Sequence, residues 1–386
     1  MTRACERPVA LREGRGVLTS ADLTRRVGGD CCCQRCPAAR RRTLPRRGGN
    51  RKPLTCRGGL PSPTDGYRFG VTALPKPRGR LSEGLLAGLS DLPVAAGDLD
   101  PASAESAEDA ALALWVLHEL SYRGFDDVDD GAERDPELHR LRCLLEDDLE
   151  QRLRERWPGP PDADLATDFF DWVGGHDGPS LARHVQTEAS EEQVLDLLRI
   201  RSVYHLKEAD PTSWVIPRLT AGPKAALVEL LYDEYGAGDP GRLHHELFAR
   251  GMEASGLRPE YGAYVDEAPA EVLEQNNALS AFGLQRRLRA AALGHLAAFE
   301  ATSSLPSRRM AQGLGRLGFP SEMVAYYTEH VVADAVHEQV ALRDVCVRLV
   351  AQEPALEPDV WFGAWACLDL EDHTARRLLT AWGVPA

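Results

Sequence analysis

Apolar residues recur at every third or fourth position along most of the chain from Leu81 onward, which is the spacing of amphipathic α-helices. Alternation of apolar and polar residues, the pattern typical of β-strands, is nearly absent. The pattern therefore predicts an all-α domain, orthogonal or bundle-like. The predicted helices include residues 110–117, 138–153, 191–206, 223–235, 243–252, 281–303 and 321–350.

Prolines and glycines mark the predicted joints between these helices. They occur at residues 239–241 and 318–320, and at Gly256, Pro269 and Pro306. We interpret residues 76–200 as N-terminal helices and residues 201–386 as a metal-binding helical core, the two being halves of one fold.

Residues 1–75 differ in composition from the rest of the chain. Arginine runs at 40–42 and 46–47 combine with glycine, proline and few large apolar side chains. Such a segment cannot bury enough apolar surface to offset chain entropy, so we predict a disordered basic leader, or sequence upstream of the true start. Cys33 and Cys36 form a CxxC pair, but no second pair follows at the spacing of a zinc site.

Charge and hydropathy exclude several classes of protein. The chain has 45 Lys+Arg and 59 Asp+Glu, a net charge of −14, and residues 81–386 alone carry −28. Residues 81–386 are acidic enough to repel phosphate backbones, so nucleic acid is not an expected partner. No run of 18 apolar residues predicts a membrane span, and no apolar segment near the N-terminus predicts secretion. Solitary cysteines in the body favour a reduced, cytoplasmic setting.

The predicted helix 321–350 carries the most informative polar residues. His330, Asp334 and His337 are separated by four and three positions, which places their side chains within an arc of roughly 60°. The residues between them are Val or Ala. Asp334-x-x-His337 resembles the carboxylate-x-x-His element that di-iron bundles project into their core. The alternatives are a solvated stripe, or a histidine pair that is hydrogen-bonded in the core.

Further carboxylates and one histidine lie on other predicted helices. Glu300 has apolar helical neighbours, so it is either buried with a partner or solvated at a helix end before Ser303. The Gly-rich break at 236–241 allows Glu234 and His244 to converge although they are ten residues apart. Glu208 is a further candidate carboxylate, with a solvated helix end as the alternative.

Together these residues form a mixed imidazole and carboxylate set. Structural zinc sites prefer cysteine, and magnesium and calcium prefer oxygen ligands without imidazole. Three histidines with three or four carboxylates suit two iron ions, with manganese as the alternative. The candidate ligands are Glu234, His244, Glu300, His330, Asp334 and His337, with Glu208 as a further ligand.

The same residues carry a family resemblance that covers about residues 75–386. The chain resembles the iron-containing redox enzymes of the haem-oxygenase-like di-iron oxidase superfamily. The matching motifs are Glu234-Tyr235-Gly236-x-Gly238 followed by His244, then Gly294-His295-Leu296-x-x-Phe299-Glu300-x-x-Ser303, then His330-x-x-x-Asp334-x-x-His337-Glu338.

The resemblance implies an all-α haem-oxygenase-like helical bundle that holds two non-haem irons and uses dioxygen as co-substrate. It assigns the six ligands named above, and Glu208 matches an extra carboxylate ligand of some members. The implied activity is an oxidase or oxygenase that acts on a small molecule, an amino acid, amine or fatty acid, in natural-product biosynthesis. An external electron donor and a homodimer are further expectations.

Two alternatives stay open at this point. One is a cofactorless enzyme of the same fold, of the thiaminase or pyrroloquinoline-quinone-synthase type. The other is a non-enzymatic helical scaffold, which predicts that His330, Asp334 and His337 are exposed. The polar residues near the ligands in sequence are candidates for substrate contact, although structural roles are commoner for each. They are Lys207, Tyr235, His245, Asn277 and Arg286.

The composition of the leader leads to a first prediction. A truncated chain that begins at Lys76 is expected to keep its thermal midpoint within a few degrees of the full chain, because the leader contributes no packed core. Thermal unfolding followed by circular dichroism measures this. A large loss of stability would show that the leader packs on the body.

Overall fold

The computed structural model describes residues 73–385 apart from Ala96 and Asp98, and it leaves out the side chains of Val332, Asp334 and Ala335. The predicted leader therefore lies outside the described residues, except for its last three positions. All described residues belong to one unit that starts at Thr64. The domain boundaries near residues 75 and 200 stay predictions.

The described part of the chain is built from α-helices joined by short turns, and it contains no β-strand. This confirms the all-α prediction. None of the described helices is both long and apolar enough to cross a lipid bilayer. The helices are α1 Arg80–Leu89, α2 Ala107–Glu119, α3 Pro136–Arg156, α4 Phe169–Gly174, α5 Leu181–Thr187, α6 Glu191–His205, α7 Asp210–Ser213, α8 Ala221–Glu234, α9 His244–Ala254, α10 Ala270–Leu284, α11 Arg289–Leu317, α12 Ser321–Gln339, α13 Arg348–Gln352 and α14 Glu357–Ala381.

Helix α11 is the centre of the packing. It lies against α14, α12 and α5, while α12 also packs against α9. Helix α10 packs against α2 and α14 and so ties the N-terminal helices to the rest. Helices α9, α11 and α12 therefore meet in one region, and α8 packs against the π-helical segment Val340–Val347 that follows α12. Most of the candidate ligands lie here.

Two glycines allow the backbones of α11 and α14 to touch. A Cβ atom on Gly294 would lie 1.9 Å from the carbonyl oxygen of Val360. Reciprocally, a Cβ atom on Gly363 would lie 1.9 Å from the carbonyl oxygen of Ala291. Because only hydrogen fits at these two positions, the pair fixes how closely α14 supports the middle of α11.

The predicted helix 281–303 is wrong at both ends. Helix α10 ends at Leu284, a 3₁₀ turn spans Arg286–Leu288, and α11 continues through Pro306 to Leu317. Proline removes one backbone hydrogen bond, which normally ends or kinks a helix. Here several residues that follow Pro306 are buried, including Met310 and Leu314. Tertiary packing against α5 and α12 on both sides of Pro306 outweighs the local cost.

The predicted helix 321–350 changes its winding after His337. Helix α12 passes into a π-helical segment, Val340–Val347, and then into α13. The π-helical segment packs against α8. Such segments are uncommon and occur often beside functional sites. Their wider turn changes the direction in which the following side chains point. In this chain the wider turn begins three residues after a candidate ligand.

The glycine contact between α11 and α14 is testable. Gly294→Ala is expected to lower the free energy of unfolding by roughly 1–3 kcal/mol, because a methyl group there meets backbone that must move. Chemical denaturation measures the loss.

Gly315→Ala is the matched control on the same helix, since no atom lies within 4 Å of a Cβ placed there. It is expected to be neutral or to stabilise by up to about 1 kcal/mol. Equal effects at the two positions would contradict the close-contact account.

Candidate metal centre

A folded-back loop brings Glu234 and His244 together. Helix α8 ends at Glu234, and Gly236 adopts a left-handed backbone with φ of 76°. A Cβ atom on Gly236 would lie 2.7 Å from the backbone of Arg242 and Leu243, so only glycine permits the tight return. Helix α9 then starts at His244, whose Nδ1 lies 2.9 Å from Glu234 Oε2. The predicted convergence is thus present.

Helices α11 and α12 supply further buried side chains to the same region. Glu300 lies in the middle of α11 and is buried, so its solvated helix-end alternative is wrong. His330 and His337 of α12 are buried as well. Glu208, just beyond the end of α6, is also buried and not a solvated helix end. None of the six described candidates is more than 8% exposed.

These residues form two clusters, each with donor atoms within 4.8 Å of one another. The first cluster is Glu208, His244 and His330, and the second cluster is Glu234, Glu300 and His337. In the first, His330 Nε2 lies 3.6 Å from Glu208 Oε1. In the second, His337 Nδ1 lies 3.0 Å from Glu234 Oε1 and 3.7 Å from Glu300 Oε2. Metal–ligand bonds of about 2 Å place donors that share one ion at such separations.

The carboxylate of Glu234 joins the two clusters. Its Oε2 faces His244 of the first cluster at 2.9 Å, and its Oε1 faces His337 of the second at 3.0 Å. One residue thus offers an oxygen to each side. A carboxylate in this position could contact an ion held at either cluster.

Burial and the histidines act in opposite directions on the carboxylates. Burial raises the pKa of Glu234, but its contacts with His244 and His337 outweigh that effect and lower the pKa to about 2. Burial likewise disfavours the charged form of Glu208, yet His330 and His205 hold its pKa well below its usual range. The site therefore keeps anionic carboxylates away from water. Buried anions need a compensating positive charge, which either imidazolium groups or metal ions supply.

The chemistry of the donor set fits metal ions of the iron type. The first cluster has two imidazoles and one carboxylate, and the second has one imidazole and two carboxylates. This mixture matches the nitrogen and oxygen preference of iron and manganese. Structural zinc sites would favour cysteine, and calcium would favour oxygen alone.

The backbone beside two of these carboxylates is unusual. Ala209 has φ of 74° and Ala237 has φ of 54°, and these are the described non-glycine residues with a left-handed backbone. Such conformations cost of order 1–3 kcal/mol and persist where surrounding structure imposes them. Ala209 directly follows Glu208, and Ala237 lies three residues after Glu234. The strain is therefore concentrated at the candidate centre.

A small cavity opens between the clusters. Its volume is about 20 Å³, enough for about one water molecule. A larger open groove of about 670 Å³ between residues 89–93 and 127–136 contains none of the candidate ligands. The small cavity is lined by Tyr204, Glu208, Ala209, Thr212, Leu230, Leu231, Glu234, Leu296, Phe299, Glu300 and His330.

The remaining predicted site residues have varied positions. The backbone of Asp334 lies in α12, but its side chain lies outside the described residues, so its role as a ligand stays a prediction. Lys207 is buried in an ion pair with Glu119 at 2.6 Å, which is a structural role. Tyr235 donates a hydrogen bond to Asp210.

Three further candidates for substrate contact do not line the cavity. Asn277 contacts the ring of His118 and donates to the carbonyl of Ala111. His245 is buried beside His244, and Arg286 is exposed.

Two tyrosines beside the clusters were not identified from the sequence. Tyr204 lines the cavity, and Tyr326 donates a hydrogen bond to Glu208. For Tyr326 the available signal was helical spacing, because it lies four residues before His330 on α12 and residues four apart share one helix face. Tyr204 lies on α6 and Glu208 beyond its end, so no such spacing indicated their proximity.

Comparison with known families agrees with this geometry. Residues 195–372 match the model of the family of iron-containing redox enzymes. No curated protein matches the chain. The matched segment contains both clusters and the cavity. The match and the all-α architecture together support a haem-oxygenase-like fold and an iron-dependent oxidoreductase.

The bridging position of Glu234 leads to a prediction. Glu234→Gln is expected to weaken Fe(II) binding at least tenfold at both clusters, because one substitution removes negative charge and an anionic oxygen from each side. Anaerobic Fe(II) titration measures the affinity.

The matched control is Glu229→Gln, an exposed position on the same helix. It is expected to bind iron like the unmodified chain. If Glu234→Gln weakens the binding of only one of the two equivalents of Fe(II), that result would contradict a carboxylate shared by two ions.

Proposed function

We propose that this enzyme is a non-haem, two-iron, dioxygen-dependent oxidase or oxygenase that acts on a small molecule. The observation that carries the proposal is the pair of buried imidazole and carboxylate clusters joined by Glu234. The first ion would be held by Glu208, His244 and His330. The second would be held by Glu234, Glu300 and His337, with Asp334 as a further ligand.

Two irons held by these residues would supply the reductive activation of dioxygen. The chain's own contribution is to hold the ions, to exclude water and to place the substrate. Leu230, Leu231 and Leu296 give the cavity apolar walls, which limit the water that can enter.

Tyr204 supplies a neutral hydrogen-bond donor at the same cavity. Burial, and then the nearby carboxylates of Glu208 and Glu234, raise the pKa of its phenol well above the usual value. The phenol therefore stays protonated at physiological pH. We propose that it donates a hydrogen bond to the molecule that occupies the cavity.

The substrate is proposed to be an amino acid, an amine or a fatty acid of natural-product metabolism, with an external electron donor as partner. A cavity for about one water-sized molecule admits only the reactive end of such a substrate. Apart from the candidate ligands, the lining consists of apolar residues and the hydroxyls of Tyr204 and Thr212. An uncharged reactive group suits this lining best.

The alternatives have less support. The scaffold alternative predicts exposed histidines at 330 and 337, and both are buried. The thiaminase-type alternative uses a cysteine nucleophile. Of the described cysteines, Cys143, Cys346 and Cys367, none lines the cavity.

Iron binding tests the proposal. The purified full chain is expected to bind two equivalents of Fe(II) without oxygen. At free iron of 100 times the dissociation constant, binding at one site stabilises the fold by about 2.7 kcal/mol. The thermal midpoint is then expected to rise by about 5 °C or more and to fall again on chelation.

Asp334→Ala is the informative variant for the second ion. It is expected to weaken the second equivalent while leaving the helical circular dichroism unchanged. A full chain that binds well under one equivalent, and is equally stable without iron, would overturn the proposed function.

A further inference from the structure

Tyr326 contacts the first cluster through its phenol. It lies on α12, one turn before His330, and is 1% exposed. Its hydroxyl donates to Glu208 Oε2 at 3.0 Å and lies 2.9 Å from His205 Nδ1. With its proton directed at the carboxylate, the phenol oxygen can accept a hydrogen bond from His205. A donor to a carboxylate forms one of the stronger hydrogen bonds in proteins.

The same residue orients His330 through its backbone. The carbonyl oxygen of Tyr326 lies 2.8 Å from His330 Nδ1, which identifies Nδ1 as the protonated nitrogen. His330 Nε2 is then the nitrogen with a lone pair, and it is the atom 3.6 Å from Glu208 Oε1. Backbone carbonyls commonly fix the tautomer of histidine ligands in this way.

Packing leaves Tyr326 little freedom. Its ring centroid lies 4.5 Å from that of His330 and 4.9 Å from that of Phe248. The ring of His205 also packs against Phe248, at 4.9 Å. The phenol is thus held in place before it meets the carboxylate.

Glu208 lies outside the α-helices, so its side chain is not oriented by a helical backbone and depends on contacts such as that with Tyr326. Helix α6 ends at His205, three residues before Glu208, and Ala209, directly after Glu208, has a left-handed backbone. The carboxylate therefore projects from a bend between two helices. Its Oε2 is held by Tyr326, and its Oε1 lies 3.6 Å from both His330 Nε2 and His205 Nδ1.

We propose that Tyr326 is a positioning residue for the first ion. Its hydroxyl, backed by His205, holds Glu208 so that Oε1 is presented beside His330 Nε2. Glu208 is then a permanent ligand and not an occasional one. The inference rests on the proposed two-iron function. It predicts that the affinity of the first cluster for Fe(II) depends on the hydroxyl of Tyr326.

The test is Tyr326→Phe, which removes the hydroxyl but keeps the ring and the carbonyl that orients His330. Anaerobic titration with Fe(II) is expected to show one of the two equivalents weakened 10–100-fold, the effect usual for a residue that orients a ligand. The other equivalent is expected to stay within about threefold of the unmodified chain.

Tyr327→Phe is the matched control. Tyr327 is the next residue and is buried, and its hydroxyl makes no hydrogen bond to any described residue. It is expected to bind both equivalents normally. Equal weakening in Tyr327→Phe would overturn the inference, because it would indicate a general packing effect.

A double-substitution cycle separates positioning from a structural role. If Tyr326 acts through Glu208, then Tyr326→Phe adds no further loss of affinity to a chain that already carries Glu208→Gln. Additive losses would overturn the inference.

The failure of this inference is distinguishable from failure of the proposed function. If the unmodified chain binds two equivalents and Tyr326→Phe binds them equally well, the inference alone fails. If the unmodified chain binds no iron, the proposed function fails and the inference with it.

Discussion

The carboxylate of Glu234 is buried between two imidazoles that come from different helices. An anion removed from water is stable only beside positive charge, and here His244 and His337 are within 3.0 Å of its two oxygens. This requirement is met where the end of α8 lies beside the start of α9 and the last turn of α12. Glu208 and Glu300 add two further buried carboxylates, so the region as a whole demands more positive charge than neutral imidazoles provide.

The rest of the fold supports that arrangement. Gly236 allows the chain to return so tightly that α9 begins beside the end of α8. Gly294 and Gly363 allow α14 to pack closely against α11. Gly294 lies six residues before Glu300 on α11. The left-handed backbone at Ala209 and the phenol of Tyr326 then direct Glu208 into the first cluster. Local strain and close helix packing are thus used where ligands must converge.

The sequence predicted those parts of the site that depend on local geometry. The helical spacing of His330 and His337 placed both on one face of α12, and the Gly-rich break predicted the convergence of Glu234 and His244. The resemblance to the iron-containing family rested on the same residues, and residues 195–372 match the model of that family. The all-α class is confirmed, because apolar spacing is a property of each helix on its own.

Local patterns do not indicate the features that tertiary packing decides. Pro306 predicted a joint, yet α11 continues through it because residues on both sides are buried against other helices. Because tertiary packing also decides which side chains are buried, the sequence left two alternatives for Glu300 and Glu208: burial, or a solvated helix end. The contact between Tyr326 and Glu208 joins residues 118 apart, and no local pattern indicates it.

The most direct test of a shared two-metal centre is anomalous X-ray scattering at the iron edge. Crystals of the full chain, loaded with Fe(II) without oxygen, would locate each ion independently of any assumed ligand. The account predicts two iron peaks about 3.5–4 Å apart, one on each side of the Glu234 carboxylate. A single peak, or iron bound away from Glu234, would contradict it.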